Sequence, residues 1–300
     1  MSYDLSLIPR PGNEFSRSDF LEFFESRPNY VVQEDNATYM NDATGIYFTF
    51  DFTDGETEDL EAPEHLTGPH LAFNLNYYRP HIFGLEAAIE LSACIEHFNF
   101  TIDDPQNEGM GVGEFSEEGF LRGWNSGNFF AIKAIQNNAE YNAPPLKTIP
   151  DADLEKYWRW SYEREEMYDD IGIDVFVPRI FYFLLEGQLR TATVWTDAIP
   201  VALPRTELVV FYREQLQKKI LGFGKSNSIS FVKFGQLEPF LKPYPLENRI
   251  LDFHLLYYEE PPKDLADFFR DQPETLPNIY KALQTDEVFG REMVAKALRS

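Results

Sequence analysis

Residues 30–53 contain YVVQEDNATYM and then GIYFTFDF, two strand-like stretches joined by an Asn/Asp/Gly turn. That pairing constrains the fold most, because strands connected so closely must lie antiparallel. The flanking segments extend the pattern. YDLSLIP alternates like a strand, and Ser16 with Asp19 three residues later makes a capping box opening a short helix whose Phe20, Leu21, Phe23 and Phe24 face inward. LAFNLNYY is a further strand, FGLEAAIELSACIEHF a helix and FNFTIDD a last strand. The order β-α-β-β-β-α-β predicts an α+β fold whose N-terminal mixed or antiparallel sheet has two helices on one face.

Beyond a Gly-rich break at DPQNEGMGVGE, the stretch SEEGFLRGWNSGNFFAIKAIQNN predicts a helix with Glu117 and Glu118 in its first turn, and DADLEKYWRWSYEREEMYDD predicts another. From residue 173 the pattern becomes strands: IDVFVPRIFYFLLEG and QLRTATVW form a hairpin turning at Glu186 and Gly187, and IPVALP, ELVVFYR and ISFVKF continue an antiparallel meander. The tail from Pro262 is expected to be helical, with Leu265, Phe268, Leu276, Ile279, Tyr280, Leu283, Val294 and Leu298 in its core. The predicted organisation is an acidic α+β domain over 1–110, a helical connecting segment over 111–172, and a β-meander with C-terminal helices over 173–300, the last two forming one domain.

The chain has 300 residues, 43% of them hydrophobic, enough to bury a sizeable core. Its single cysteine, Cys94, lies in an apolar helix without a metal-ligand companion, which predicts a buried thiol in a reducing compartment. With no leader-like N-terminus and no apolar run of membrane-spanning length, a soluble cytoplasmic protein is expected.

The formal net charge of −24 is unevenly spread: residues 1–150 carry 25 acidic and 7 basic side chains, residues 151–300 carry 25 and 19. Such a field repels nucleic acid and anionic lipid and favours a basic protein partner. It is densest at DFTDGETEDLEAPEH, where Asp51, Asp54, Glu56, Glu58, Asp59, Glu61 and Glu64 follow one another without a cation.

Catalytic and ligand-binding motifs fail on inspection. Placing Gly55 at the glycine of an EF-hand loop puts Phe50 and Phe52 at the first two ligand positions, which excludes that site. GFGKSNS has Lys219 where a P-loop requires glycine, and GMGVGEF lacks the dinucleotide-binding spacing. Histidines 65, 70, 81, 97 and 254 show no metal-ligand spacing, and no nucleophile elbow is present, so no catalytic residue, cofactor or metal site is assigned. EREEMYDDIGID, residues 163–174, is a second acidic concentration, explained by a solvated helix face or by extension of an acidic interface. In RGWNSGNFF, Gly123 and Gly127 are expected to permit close approach while Trp124 packs on the sheet.

The acidic stretch 51–65, the further acids Asp103, Asp104, Glu108, Glu114, Glu117 and Glu118, and the opening YDLSLIPR resemble the immunity proteins of bacterial polymorphic toxin and type VI secretion systems, particularly those neutralising nuclease toxins. The resemblance implies a protein that covers the phosphate-binding surface of a basic toxin, with Asp51, Asp54, Glu56, Glu58, Asp59, Glu61, Glu64, Asp103, Asp104, Glu117 and Glu118 as partner-binding residues and no cofactor. The alternative is a metal-dependent enzyme acting on a small molecule or phosphoester, using the loop 51–65 with His65 or His70.

Overall fold

The computed structural model describes residues 1–55, 66–106, 109–216, 219–220, 223–224 and 228–299. They divide into two compact units, Met1–Asp151 with Phe289–Ser300, and Ala152–Val288.

The first unit runs β1 (Ser2–Pro9), α1 (Arg17–Glu25), β2 (Tyr30–Val32), β3 (Asn36–Asn41), β4 (Ile46–Thr53), β5 (His70–Asn76), α2 (Ile82–Phe98), β6 (Phe100–Asp103), β7 (Val112–Gly113), α3 (Glu117–Asn137) and β8 (Lys147–Ile149). Strands β1 to β7 form one sheet in the order β2-β3-β4-β5-β1-β6-β7, antiparallel at every pairing. The period-2 alternation buries Tyr3, Leu5 and Leu7 of β1, Phe48, Phe50 and Phe52 of β4, and Phe73 of β5 on one face.

All three helices cover that face, where two were expected. Phe24 of α1 meets Phe50 at 5.0 Å between ring centroids, Phe120 of α3 meets Phe73 at 5.9 Å, and α2 hydrogen-bonds to Tyr39 through Glu86. Each buried phenylalanine contributes about 1.5–3 kcal/mol relative to exposure. Helix α1 begins at the Ser16/Asp19 capping box, and α2 ends at Asn99, whose left-handed backbone (φ 52°) satisfies its last turn. Helix α3 packs closely because its glycines allow it: a Cβ on Gly127 would meet the Tyr77 ring, and one on Gly123 the Tyr3 hydroxyl. Trp124 is fully buried and lies against Gly84 of α2.

The chain continues through α4 (Asp151–Tyr162), α5 (Arg164–Ile171), β9 (Ile180–Leu185), β10 (Gln188–Thr196), β11 (Val201–Pro204), β12 (Leu208–Arg213), β13 (Lys219–Ile220), β14 (Phe223–Gly224), β15 (Ser228–Lys233), α6 (Glu238–Leu241), β16 (Leu246–Asn248), β17 (Asp252–Leu256), α7 (Lys263–Asp271), β18 (Tyr280–Leu283), β19 (Val288–Gly290) and α8 (Arg291–Arg299). The predicted hairpin is β9–β10, with Glu186 and Gly187 both at positive φ, as a two-residue turn between twisted strands requires.

Strands β12 and β15 pair antiparallel as expected, but the meander is corrected at β11. Strand β10 pairs parallel with β12, because β11 leaves for a separate sheet of order β11-β17-β16 before the chain returns. Asp197 and Ala198, both at positive φ, end β10, and the Asp197 carboxylate accepts from the backbone of Glu214, Gln215 and Leu216 at 3.0 Å. The tail is not wholly helical either: Tyr280–Leu283 pairs with β9 as a sheet edge, while Leu276 and Leu298 are exposed. The single helix predicted over the YWRWSY region breaks at Glu163 into α4 and α5.

The boundaries of the units also differ from the predicted division into 1–110, 111–172 and 173–300. Helix α3 belongs with the N-terminal sheet, and α8 returns to the same unit, where Met293, Val294 and Ala297 form a cluster with Ile132. Among the described residues no helix is long and apolar enough to cross a membrane.

Candidate protein-binding surface

With three helices on one face, the other face of the seven-stranded sheet is built from the alternate side chains. Registry aligns them in rows. One runs Asn36, Asp51, Ala72, Ser6, Asp103 across β3, β4, β5, β1 and β6; the next runs Val31, Thr38, Thr49, Asn74, Asp4 from β2 to β1. Strand spacing places Asp51 about 14 Å from Asp103, with the small side chains of Ala72 and Ser6 between them. Asp4 lies two residues along β1 from Ser6, about 7 Å away.

No lysine or arginine occupies either row. Asp51 and Asp4 are instead held by neutral donors. Asn36 donates to Asp51 at 2.7 Å and is itself oriented by the Thr38 hydroxyl at 2.8 Å; Asn74 and Ser2 donate to Asp4. Amide and hydroxyl donors fix a carboxylate without cancelling its charge. At 14 Å the mutual repulsion of two carboxylates in water is only about 0.3 kcal/mol, so the arrangement costs the fold little while its field adds outward.

Asp54, just beyond β4, joins Glu34 and Asp35 around the Arg17 guanidinium at 3.0–3.1 Å, three carboxylates on one cation. Glu56, Glu58, Asp59, Glu61, Glu64 and His65 lie outside the described residues.

Asp103 and its neighbour Asp104 part ways, as alternation dictates. Asp103 faces outward, whereas Asp104 is 2% exposed and accepts from the Tyr3 hydroxyl at 2.6 Å and from the backbone of Gln106 and Met110. Its assignment as a partner-binding residue is therefore corrected: its acceptors hold β1 to the loop after β6. Burial, then this bond, pushes the Tyr3 phenol up. Glu117 and Glu118 are exposed at the start of α3, a helix on the covered side, so they do not join the rows. Glu118 pairs with Arg122 one turn on, at 3.6 Å.

Asp4, Asn36, Thr38, Thr49 and Asn74 were not singled out in sequence, although the alternation of YDLSLIP, NATYM, IYFTFDF and LAFNLN specifies all of them as one face. A second polar group is hidden within α2. Oε1 of the fully buried Glu86 accepts from Tyr39 and Asn41 at 2.8 Å and from Thr44 at 3.0 Å. One turn on, Glu90 accepts from Arg27 at 2.7 Å and Tyr30 at 2.9 Å. Burial first and the carboxylate second raise the phenols of Tyr30 and Tyr39, which stay protonated as donors. The network fastens α2 to the sheet.

His70 is buried, with Nδ1 donating to the Gly68 carbonyl at 2.8 Å. Elsewhere in the unit, Asp151 caps α8 by accepting from the backbone of Glu292 and Met293, while the Glu292 carboxylate accepts from Asp151 N–H at 2.7 Å. Desolvation raises the Asp151 pKa, opposed first by the hydrogen bond from the Met293 backbone and then by the neighbouring His81. Among the described residues no group of His, Cys, Asp and Glu has the arrangement to hold a metal ion.

No protein-family model matches the chain, and no curated protein or solved structure matches it.

Proposed function

We propose that this protein is a binding protein without catalytic activity, which docks a basic protein partner on the open face of its N-terminal sheet. The observation that carries this reading is the register that brings Asp4, Asp51 and Asp103 onto one sheet face, in two rows whose other positions are uncharged residues. A broad, shallow, hydrogen-bond-rich surface suits a folded partner better than a small molecule, which is held in a concave, mostly apolar pocket.

The reading extends to the immunity proteins that neutralise nuclease toxins. A nuclease carries lysines and arginines that hold phosphates, and an acidic sheet face laid over them excludes substrate by occupying the same charges. Long-range attraction speeds capture, and the adjacent apolar Val31 and Met40, both exposed, supply contacts that slow release. The cytoplasm, where such a toxin would act on its producer, is the compartment this role requires.

The test is affinity capture from a lysate of the source organism on the wild-type protein and on the triple variant Asp4→Asn, Asp51→Asn, Asp103→Asn. The expected result is a basic protein that degrades nucleic acid when released, retained by the wild type at low salt and depleted on the variant. Equal retention on both, or no basic protein on the wild type, contradicts the proposal.

A further inference from the structure

The second unit contains a groove of about 770 Å³ between α5 and the segment that follows it. The groove is built by an unusual connection. After α5 the chain turns at Gly172 (φ 66°), and Phe176 lies parallel to Val201, donating its N–H to the Pro200 carbonyl at 3.0 Å and accepting from Ala202 at 2.9 Å. Phe176 is held by its backbone yet stays 41% exposed, beside Ile199 at 38% and Tyr168 at 45%. Large apolar side chains gathered at one surface depression mark an interaction site more often than a random scatter does.

Its rim is acidic. Glu165, Asp169 and Asp174 line it, with Arg164 as the one cation among the lining residues. Glu166 and Asp170 stand beside them, exposed, on the same helix. Asp170 is paired with Arg249, but Glu165, Asp169 and Asp174 form no salt bridge among the described residues. Helix stability does not account for Asp169: it sits in the last turn of α5, where the dipole is negative and a basic residue is absent. A carboxylate there is disfavoured in the isolated protein and favoured once a cation approaches.

We infer that this groove is a second docking site, for a short segment of a basic protein that inserts one apolar side chain over Phe176 and Ile199 and sets flanking lysines or arginines against Asp169 and Asp174. Charge complementarity selects this occupant. A second copy of this acidic chain would bring like charge to the rim, and an uncharged apolar ligand would leave the carboxylates unanswered. The inference rests on the proposed function only in assigning the segment to the same partner.

The probe is a fluorescein-labelled peptide with a Leu-Phe pair flanked on each side by two lysines. Its controls replace the lysines by glutamate, or the Leu-Phe pair by two serines. Anisotropy on the full chain should show binding of the lysine Leu-Phe peptide alone, weakened about tenfold by Phe176→Ser and similarly by the exposed substitution Asp169→Lys. With benzoylphenylalanine in place of phenylalanine, cross-links should fall within 164–177 and 199–200. Binding within twofold of wild type for either variant, or cross-links confined elsewhere, overturns the inference. The sheet-face triple variant separates the two readings: it should keep this peptide whether or not it loses the folded partner.

Discussion

Replacing Glu86 by leucine tests whether the buried polar network carries the platform on which the acidic face is displayed. Leucine matches the apolar volume and removes the acceptor, leaving the Tyr39 hydroxyl, the Asn41 amide and the Thr44 hydroxyl, now 2.8–3.0 Å from Glu86 Oε1, to lose one partner each. Each buried donor left unsatisfied costs about 1–3 kcal/mol. Three such losses, reduced by partial relaxation and non-additivity, bring the expected total to about 3–5 kcal/mol. Glu86→Gln keeps an acceptor oxygen in the same place and should cost about 1–2 kcal/mol. Tyr39→Phe removes one donor, so its effect should shrink markedly in the Glu86→Leu background. Urea unfolding followed by circular dichroism at neutral pH, with a double-mutant cycle, gives all three values. A Glu86→Leu protein within 1 kcal/mol of wild type, or additive single substitutions, would show that the network does not hold the platform together.

Gly127→Ala should destabilise by about 1–3 kcal/mol, because its methyl group would enter the Tyr77 ring and force α3 outward; thermal denaturation reads this directly. Cys94, fully buried with its thiol pushed up by desolvation, should resist iodoacetamide at pH 8 in the native protein and react fully in denaturant, as intact-mass measurement will show. Glu114 is held below the usual carboxylate range by its hydrogen bond to Arg10, a bidentate pair at 2.6–2.8 Å. A depressed folded pKa contributes stability above the unfolded value near 4.5 that is lost as the pH falls through the folded one. The wild type and Arg10→Ala should therefore differ in urea midpoint at pH 7 and converge under more acidic conditions.

Strands β1, β4, β5 and β6 were legible in sequence because one face of the sheet is covered and the other open, so each alternates, whereas the single strand expected over YVVQEDNATYM is a hairpin of β2 and β3. The Ser16 capping box and the buried phenylalanines of α1 come from the same local rules. What was missed depends on contacts distant in sequence. Glutamate is by type a surface residue, and only the arrival of Tyr39, Asn41, Arg27 and Tyr30 makes Glu86 and Glu90 interior. The parallel pairing of β10 with β12 turns on two left-handed residues, Asp197 and Ala198, neither of them glycine. Helix α8 carries an ordinary amphipathic pattern that cannot say which unit it closes. For the acidic surface, charge density drew attention to the run 51–65, while strand registry aligns Asp51 with Asp103 and sets Asp4 in the adjoining row.

The decisive property of the sheet face is whether those three carboxylates steer a basic partner. Stopped-flow association of the captured partner should be measured from about 20 to 500 mM salt for the wild type and for Asp4→Asn, Asp51→Asn, Asp103→Asn, a range that takes the screening length from about 20 Å to under 5 Å. The account predicts about a tenfold slower association for the variant at low salt, a shallower salt dependence, and rates that converge at high salt, with unfolding stability unchanged. Rates that agree within twofold at every salt concentration contradict it.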